Sequence, residues 1–431
     1  MHMRELLTKV VSNLGMKGLS VILALGMQII LARWLSVAEY GQFALLQVVA
    51  MGFATFAQAG MQTAYMKLVA ELNELYGVYA ITKICLQLVV RHLALALFVY
   101  LVVVVCFYSF GKISSAITLI AFSFYLIFQT FMMLLLAWFR GVNKAYIASF
   151  LEQGSFAGLT VVFGFIWLAV TKTEWPLHIA AISFAAATGI VFILVVVPVI
   201  SRLLQHKQDV YEPDALRVKQ LSRRLLTMQM AAYFTNWSGV LVVGLFLATD
   251  QVAGLNVAQR LAQIVVFFLI AFNGVIAPRF AKLNANGDMV GLRKLAQRSA
   301  NLLTLATLPV VLVTVIWGKL ILAVFGEQYI SAYPLLVIIM AGQLINALTG
   351  SVGFLLNMTN HEQIMRNIVV TSSVITVLVS IIATTLFGVV GAASALTLGL
   401  VINNLTAAYF VFKYLGFVTI PGFHWIKKHA D

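Results

Sequence analysis

Residues 93–110, LALALFVYLVVVVCFYSF, run eighteen positions without a charged side chain. At 1.5 Å of helical rise per residue this is about 27 Å, close to the thickness of a bilayer's hydrocarbon core. Hydrocarbon holds no water to satisfy backbone N–H and C=O groups, so such a run has to be a helix. Similar runs recur along the chain, and most of the charge is confined to the short segments between them. Spans are placed at 13–33, 42–64, 84–108, 115–138, 147–170 and 177–200, then at 226–248, 254–277, 300–324, 333–356, 368–387 and 391–414. Composition agrees: 62% of residues are hydrophobic and 10% charged, where a soluble domain has about 25% charged. The chain is read as an all-α polytopic membrane protein with twelve transmembrane helices.

The formal net charge is +14. A soluble domain that basic would suggest nucleic acid. Here the cations flank the spans, where they orient the protein against an anionic leaflet, and no nucleic-acid partner is expected. With the N-terminus taken as cytoplasmic, only Arg33, Lys112 and Lys172 lie on the opposite face. Lys17, Arg91, Arg260 and Lys319 lie within spans, and the other 21 of the 28 Lys and Arg face the cytoplasm. Both termini are therefore expected inside. The N-terminal segment lengthens into a full span without a small-residue cleavage site, so it is read as a retained helix rather than a signal. Cys85 and Cys106 share one expected helix, about 30 Å apart along its axis, beyond disulfide reach.

The polar stretch 201–225, SRLLQHKQDVYEPDALRVKQLSRRL, divides six spans from six. This gives an N-lobe over 1–200, a cytoplasmic connector over 201–225 and a C-lobe over 226–431. The halves echo each other in order and at near-equal offset. Glu39–Ala44 (EYGQFA) pairs with Val252–Ala258 (VAGLNVA), Arg140–Lys144 (RGVNK) with Asn357–His361 (NMTNH), and Ala180–Ser183 (AAIS) with Gly391–Ser394 (GAAS). Six helices per repeat give two parallel repeats related by an axis along the membrane normal, an architecture of two bundles rocking about a central cavity.

Several of these residues resemble a known family. Leu31-Ala32-Arg33-Trp34-Leu35, followed by Glu39-Tyr40-Gly41-Gln42-Phe43-Ala44-Leu45, looks like the first hairpin of polysaccharide flippases. Those belong to the multidrug/oligosaccharidyl-lipid/polysaccharide (MOP) exporter superfamily. Gly254 through Ala258-Gln259-Arg260-Leu261, ending at Pro278-Arg279-Phe280, is similar to the matching hairpin of the second half. Phe325-Gly326-Glu327-Gln328-Tyr329 and Phe387-Gly388-Val389-Val390-Gly391-Ala392-Ala393 resemble the C-terminal pattern. The resemblance implies a V-shaped, MATE-like transporter in a bacterial inner membrane. Its cargo would be an undecaprenyl-pyrophosphate-linked oligosaccharide, as in O-antigen assembly, with a polysaccharide polymerase and chain-length machinery as partners alongside membrane lipids.

Charges inside the spans support transport independently. A charge at a helix centre costs about 2.5–3.5 kcal/mol on insertion scales, so it faces a cavity or a partner. Arg260 lies about six residues inside span 8 with Asn256, Gln259 and Gln263 around it. Either it faces the path and holds an oxyanion with its guanidinium fork, or it pairs structurally with Asp250. Glu152 is the carboxylate set well inside a span. It is a candidate for ion coupling, with Asp250 as the alternative, or else a structural partner of Lys144 or Arg140. Lys17 and Arg91 are candidate substrate-binding cations or snorkelling side chains. Arg33 is a further candidate, with pairing to Glu39 as its bland reading. Lys319, beside Trp317, reads as an interfacial anchor, and Gly154-x-x-x-Gly158 as a packing motif.

The sequence contains no GxxxxGK[ST], HExxH, GxSxG or CxxC pattern. No cofactor is expected; coupling to an H⁺ or Na⁺ gradient, or facilitated exchange, remains as the driver. A cation surplus within the spans fits anionic cargo better than cationic drugs, so a multidrug exporter is the second reading. A membrane polymerase or ligase fits poorly, because those enzymes usually carry a sizeable outer loop and no outer loop here exceeds about ten residues.

Overall fold

The computed structural model describes residues 3–71, 78–142, 144–173, 175–205 and 215–421. Lys207 in the connector, and Lys427 and Lys428, lie outside the described residues. The helices are α1 (Met3–Trp34), α2 (Val37–Ala57), α3 (Met61–Glu71), α4 (Val78–Ser109), α5 (Ala116–Gly141), α6 (Ala145–Leu151), α7 (Gly154–Thr171), α8 (Leu177–Val191) and α9 (Val197–Gln205). They continue with α10 (Ala215–Phe246), α11 (Thr249–Ala285), α12 (Met289–Ile316), α13 (Gly318–Ala323), α14 (Tyr333–Thr349), α15 (Val352–Met358) and α16 (Glu362–Leu415).

Among the described residues, ten helical segments are long and apolar enough to cross a bilayer. The last of them, α16, has 54 residues, about 81 Å if straight and far more than one crossing needs. It breaks at Gly388, whose φ of 62° and ψ of −147° only glycine adopts readily. The arms 362–387 and 389–415 then run antiparallel: a Cβ on Gly391 would strike the Ala383 carbonyl, and one on Gly399 would strike Thr376. The expected span 226–248 falls in the C-terminal part of α10. With these two additions the helices accommodate twelve crossings.

Four expected spans are interrupted, one of them 300–324, where Trp317 separates α12 from α13. Span 42–64 ends as helix at Ala57, where Ala59 (φ 52°) and Gly60 (φ 78°) take left-handed backbone before α3 begins. Span 147–170 breaks between α6 and α7 at Glu152 and Gln153. Span 333–356 breaks at Gly350, where φ is 73° and ψ −154°. Continuous hydropathy conceals such breaks, because apolar residues flank them on both sides. By contrast, Pro309 stands inside an uninterrupted α12, and α11 continues past Pro278 to Ala285.

The chain forms two compact units, Met1–Tyr233 with Ala248–Asp250, and Phe234–Leu247 with Gln251–Asp431. In the first, α5 packs against α2, α3, α6 and α8, while α1 packs on α6 and α7. Met61, Tyr65, Leu68, Cys85, Val89, Leu134 and Val218 form one of its cores. Buried amides bond between helices as membrane packing requires: Tyr40 donates to Gln28 at 2.8 Å, and Gln28 to Gln47 at 3.5 Å. The second unit packs α12 on α14 and α14 on α16, with a core that includes Phe280, Leu292, Leu355, Leu356 and Val411. Large apolar side chains such as Phe98, Leu101, Val105, Leu386 and Phe387 face outward, the pattern expected when hydrocarbon is the solvent.

Ser36 caps α2 through a box that the sequence reading did not assign. Its hydroxyl accepts from the Glu39 backbone N–H, and Glu39 Oε2 accepts from the Ser36 N–H at 3.0 Å. The two glycines of the packing motif differ. A Cβ on Gly154 would lie 2.8 Å from the Ser20 Cα, whereas one on Gly158 would meet only Leu23, at 3.8 Å. Gly154→Ala therefore has to push α7 off α1 and is expected to cost about 1–3 kcal/mol. Gly158→Ala gains helix propensity without a clash. Thermal unfolding of the purified protein should drop by several degrees for the first variant and hold or rise for the second. Equal Tm values would remove Gly154 as the contact that sets this helix spacing.

Candidate functional site

In the first unit three charges from three segments converge. Lys17 Nζ on α1 donates to Glu152 Oε2 at 2.5 Å, and Arg140 Nη2 at the end of α5 lies 3.2 Å from the same oxygen. The side chains are 21–25% exposed, so the cluster is mostly shielded from solvent. One carboxylate between two cations leaves a net charge of +1. Local structure explains the convergence. Asn13, Lys17 and Ser20 follow an i, i+4, i+7 spacing and so lie on one face of α1. Ser149 donates to Asn13 Oδ1 at 2.7 Å, and Gly154 sits against Ser20, so that face lies along α6 and α7. Arg140 is in the last turn of α5, where the helix dipole favours a cation.

Glu152 stands where its helix breaks. Gln153 has φ −144° and ψ −35°, and α7 starts at Gly154 without a side-chain cap. Interrupted transmembrane helices present uncapped backbone ends, and such ends serve ion and anion sites where they line a cavity. The structural reading of Glu152 as an Arg140 partner is realised, and Lys17, read from the sequence as a separate cation, belongs to the same cluster.

The second unit holds the other charged group. The Arg260 Cζ lies 5.3 Å from the Trp237 ring centroid, and its Nε donates to Asn256 Oδ1 at 3.2 Å. Gln259 Nε2 donates to the Asn236 carbonyl at 2.9 Å. Asn256 is fully buried and Gln259 is 9% exposed, while Arg260 is half-buried. The cation–π contact and the hydrogen bond position the guanidinium, an arrangement suited to an oxyanion.

The remaining candidates lie elsewhere on the helices. Arg33 is exposed near the end of α1, and the carboxylate of Glu39 is turned to Ser36 in the capping box. Arg91 is exposed on α4. Asp250 is exposed in the first turn of α11, where a negative charge complements the helix N-terminus. Lys319 lies 5.6 Å from the Tyr333 ring centroid, a cation–π contact in keeping with an anchor. Sequence reasoning did not single out Trp237 as the stacking partner of Arg260. The signal was available in the register, because Trp237 and Arg260 are nearly equidistant from the turn at Ala248.

Long apolar helices and shielded intramembrane charges define a multi-pass membrane protein, helical across its described spans. The chain belongs to the polysaccharide biosynthesis protein family, whose model matches residues 6–284. A curated relative, the probable low-salt glycan biosynthesis flippase Agl15 of Haloferax volcanii, is 22% identical over 195 residues, 45% of this chain. The match covers 41% of that relative's length. The fold is that of MOP-superfamily transporters. The lipid II flippase MurJ in an inward closed conformation superposes with a TM-score of 0.69 at 15% identity, over 91% of this chain and 85% of that one. An inward-facing multidrug resistance MATE family transporter of the MOP superfamily gives 0.68 at 15% identity, over 94% and 98%.

Proposed function

We propose that this protein flips undecaprenyl-pyrophosphate-linked oligosaccharide repeat units from the cytoplasmic to the outer leaflet of a bacterial inner membrane, by alternating access. The observation that carries the reading is the net-positive cluster of Lys17, Arg140 and Glu152 at a broken transmembrane helix. Membership of a polysaccharide biosynthesis family and the MOP fold support it. Lys17 in the first unit and Arg260 in the second are each a separate contact for pyrophosphate or an acidic sugar, with Arg33 and Arg91 as further candidate contacts. The polyprenyl tail stays in lipid. In the resting state Glu152 is the counter-ion of Lys17 and Arg140, and an arriving oxyanion competes with it for both. Glu152, with Asp250 as the alternative, then becomes the carboxylate through which an H⁺ or Na⁺ gradient drives the cycle. Both termini face the cytoplasm, and a polymerase with its chain-length machinery takes up the product.

Likeness to a multidrug transporter favours drug export as the second reading. The surplus of cations in the spans opposes it for cationic drugs. The test is the sidedness of undecaprenyl-pyrophosphate oligosaccharide in cells lacking the protein. Accumulation on the cytoplasmic face is expected. Accumulation on the outer face would place the defect downstream, and no accumulation, combined with altered drug tolerance, would shift the function to drug export.

A further inference from the structure

The amides beneath Arg260 are held in fixed orientations, and each keeps one polar atom without a protein partner. Asn256 cannot turn over, because its Oδ1 accepts from Arg260 Nε at 3.2 Å, so the atom left over is the donor Nδ2. Gln259 cannot turn over either, because its Nε2 donates to the Asn236 carbonyl at 2.9 Å, so its leftover atom is the acceptor Oε1. Both side chains are at least nine-tenths buried. Leaving a polar atom unmatched at that depth is unfavourable, and a native interior tolerates it where a ligand or an ordered water completes the set. Asn256 and Gln259 are three residues apart on α11, hence on one face of the helix, with Arg260 beside them.

One donor and one acceptor on the same face, next to a stacked guanidinium, match a particular chemistry. A hydroxyl both accepts and donates, so a single alcohol group satisfies Asn256 Nδ2 and Gln259 Oε1 together, and a pair of adjacent hydroxyls satisfies them separately. An ionised phosphate oxygen has nothing to donate to Gln259, and an ammonium group has nothing with which to accept from Asn256. We infer that Asn256 and Gln259 form a hydroxyl subsite for the sugar ring next to the pyrophosphate, with Arg260 taking the neighbouring oxyanion. This rests on the flippase reading and goes beyond it, by assigning part of the recognition to the sugar rather than to the charge. Arg260 Nε is bonded to Asn256 Oδ1, so the cation and the amide are held side by side for the oxyanion and the ring that follows.

The test compares two short lipids on the full-length protein in nanodiscs: farnesyl pyrophosphate, and farnesyl pyrophosphate carrying N-acetylglucosamine or galactose. The readout is the ratio of their affinities for wild type, Asn256→Leu and Gln259→Leu. Wild type should prefer a sugar-bearing lipid by about tenfold, the scale of two neutral hydrogen bonds. Each variant should bring the ratio toward one. A ratio cancels general damage, and unfolding midpoints of the unliganded variants identify any that fails to fold. For such a variant Gln259→Met or Asn256→Ser takes its place. Equal affinity of wild type for the bare and sugar-bearing lipids, or a preference that the variants keep, overturns the hydroxyl subsite while leaving the flippase reading standing. Failure of wild type to bind any of these lipids overturns both.

Discussion

Arg260→Ala is expected to abolish glycan export at normal membrane abundance, while Arg260→Lys keeps part of it. The guanidinium lies 5.3 Å from the Trp237 centroid and bonds to Asn256, so its plane and its distance from α10 are set before any cargo arrives. Lysine restores the charge but neither the fork nor the stacking. A point charge therefore recovers the Coulombic part of recognition and loses the bidentate part. Charge-assisted hydrogen bonds contribute about 1.5–3 kcal/mol each. On that scale alanine should lower transport by two orders of magnitude or more and lysine by about one. Export of surface polysaccharide, normalised to protein in the membrane, checks both. Wild-type export by the alanine variant would remove Arg260 from the cargo path.

The second large effect is expected at Glu152. Glu152→Gln leaves Lys17 and Arg140 facing each other at a broken span without their shared counter-ion. Removing one partner of a fully buried pair costs about 3–5 kcal/mol. At 21% exposure part of that is recovered from solvent, so the loss should sit toward or below the lower end of this range. Membrane abundance should fall severalfold. The double variant Lys17→Met with Glu152→Gln removes the repulsion and should restore abundance, since an apolar replacement relieves desolvation. Export should stay absent, because a cation proposed to hold the cargo is gone. Export returning together with abundance would make the cluster a packing device alone, and unchanged abundance in the single variant would mean that the three charges are solvated.

Most of the fold was legible because membrane physics leaves few options for a run of apolar residues. The long run in 93–110 has to be helical whatever its neighbours are, and the helix α4 covers it to Ser109. The interruptions were not legible. Gly350 and the Gln58–Gly60 turn lie inside runs that carry no charge, and the positive φ values that break them are settled by what packs against them: a Cβ on Gly350 would strike Ala300 at 2.7 Å. The charged candidates were visible one at a time, since a lysine or glutamate inside a span is conspicuous. Their grouping was not, because Lys17 and Glu152 are 135 residues apart and meet only when α1 lies along α6 and α7. The polar face of α1 through Asn13, Lys17 and Ser20 was the missed clue, since three polar residues on one face of a membrane helix announce a polar neighbour.

The break at Gly388 has a consequence for how the chain is made. Only one residue separates the arms 362–387 and 389–415, so no loop stands between them to pause synthesis or to be exposed as a separate segment. Two crossings joined so tightly enter the bilayer together as a helical hairpin, burying their turn in a single event. Arg366 and Lys413 then stand at its two open ends, on the same side of the membrane. Biogenesis of the last two crossings is thus one all-or-none insertion step, and a reporter domain placed at residue 388 would obstruct that step rather than mark a side of the membrane.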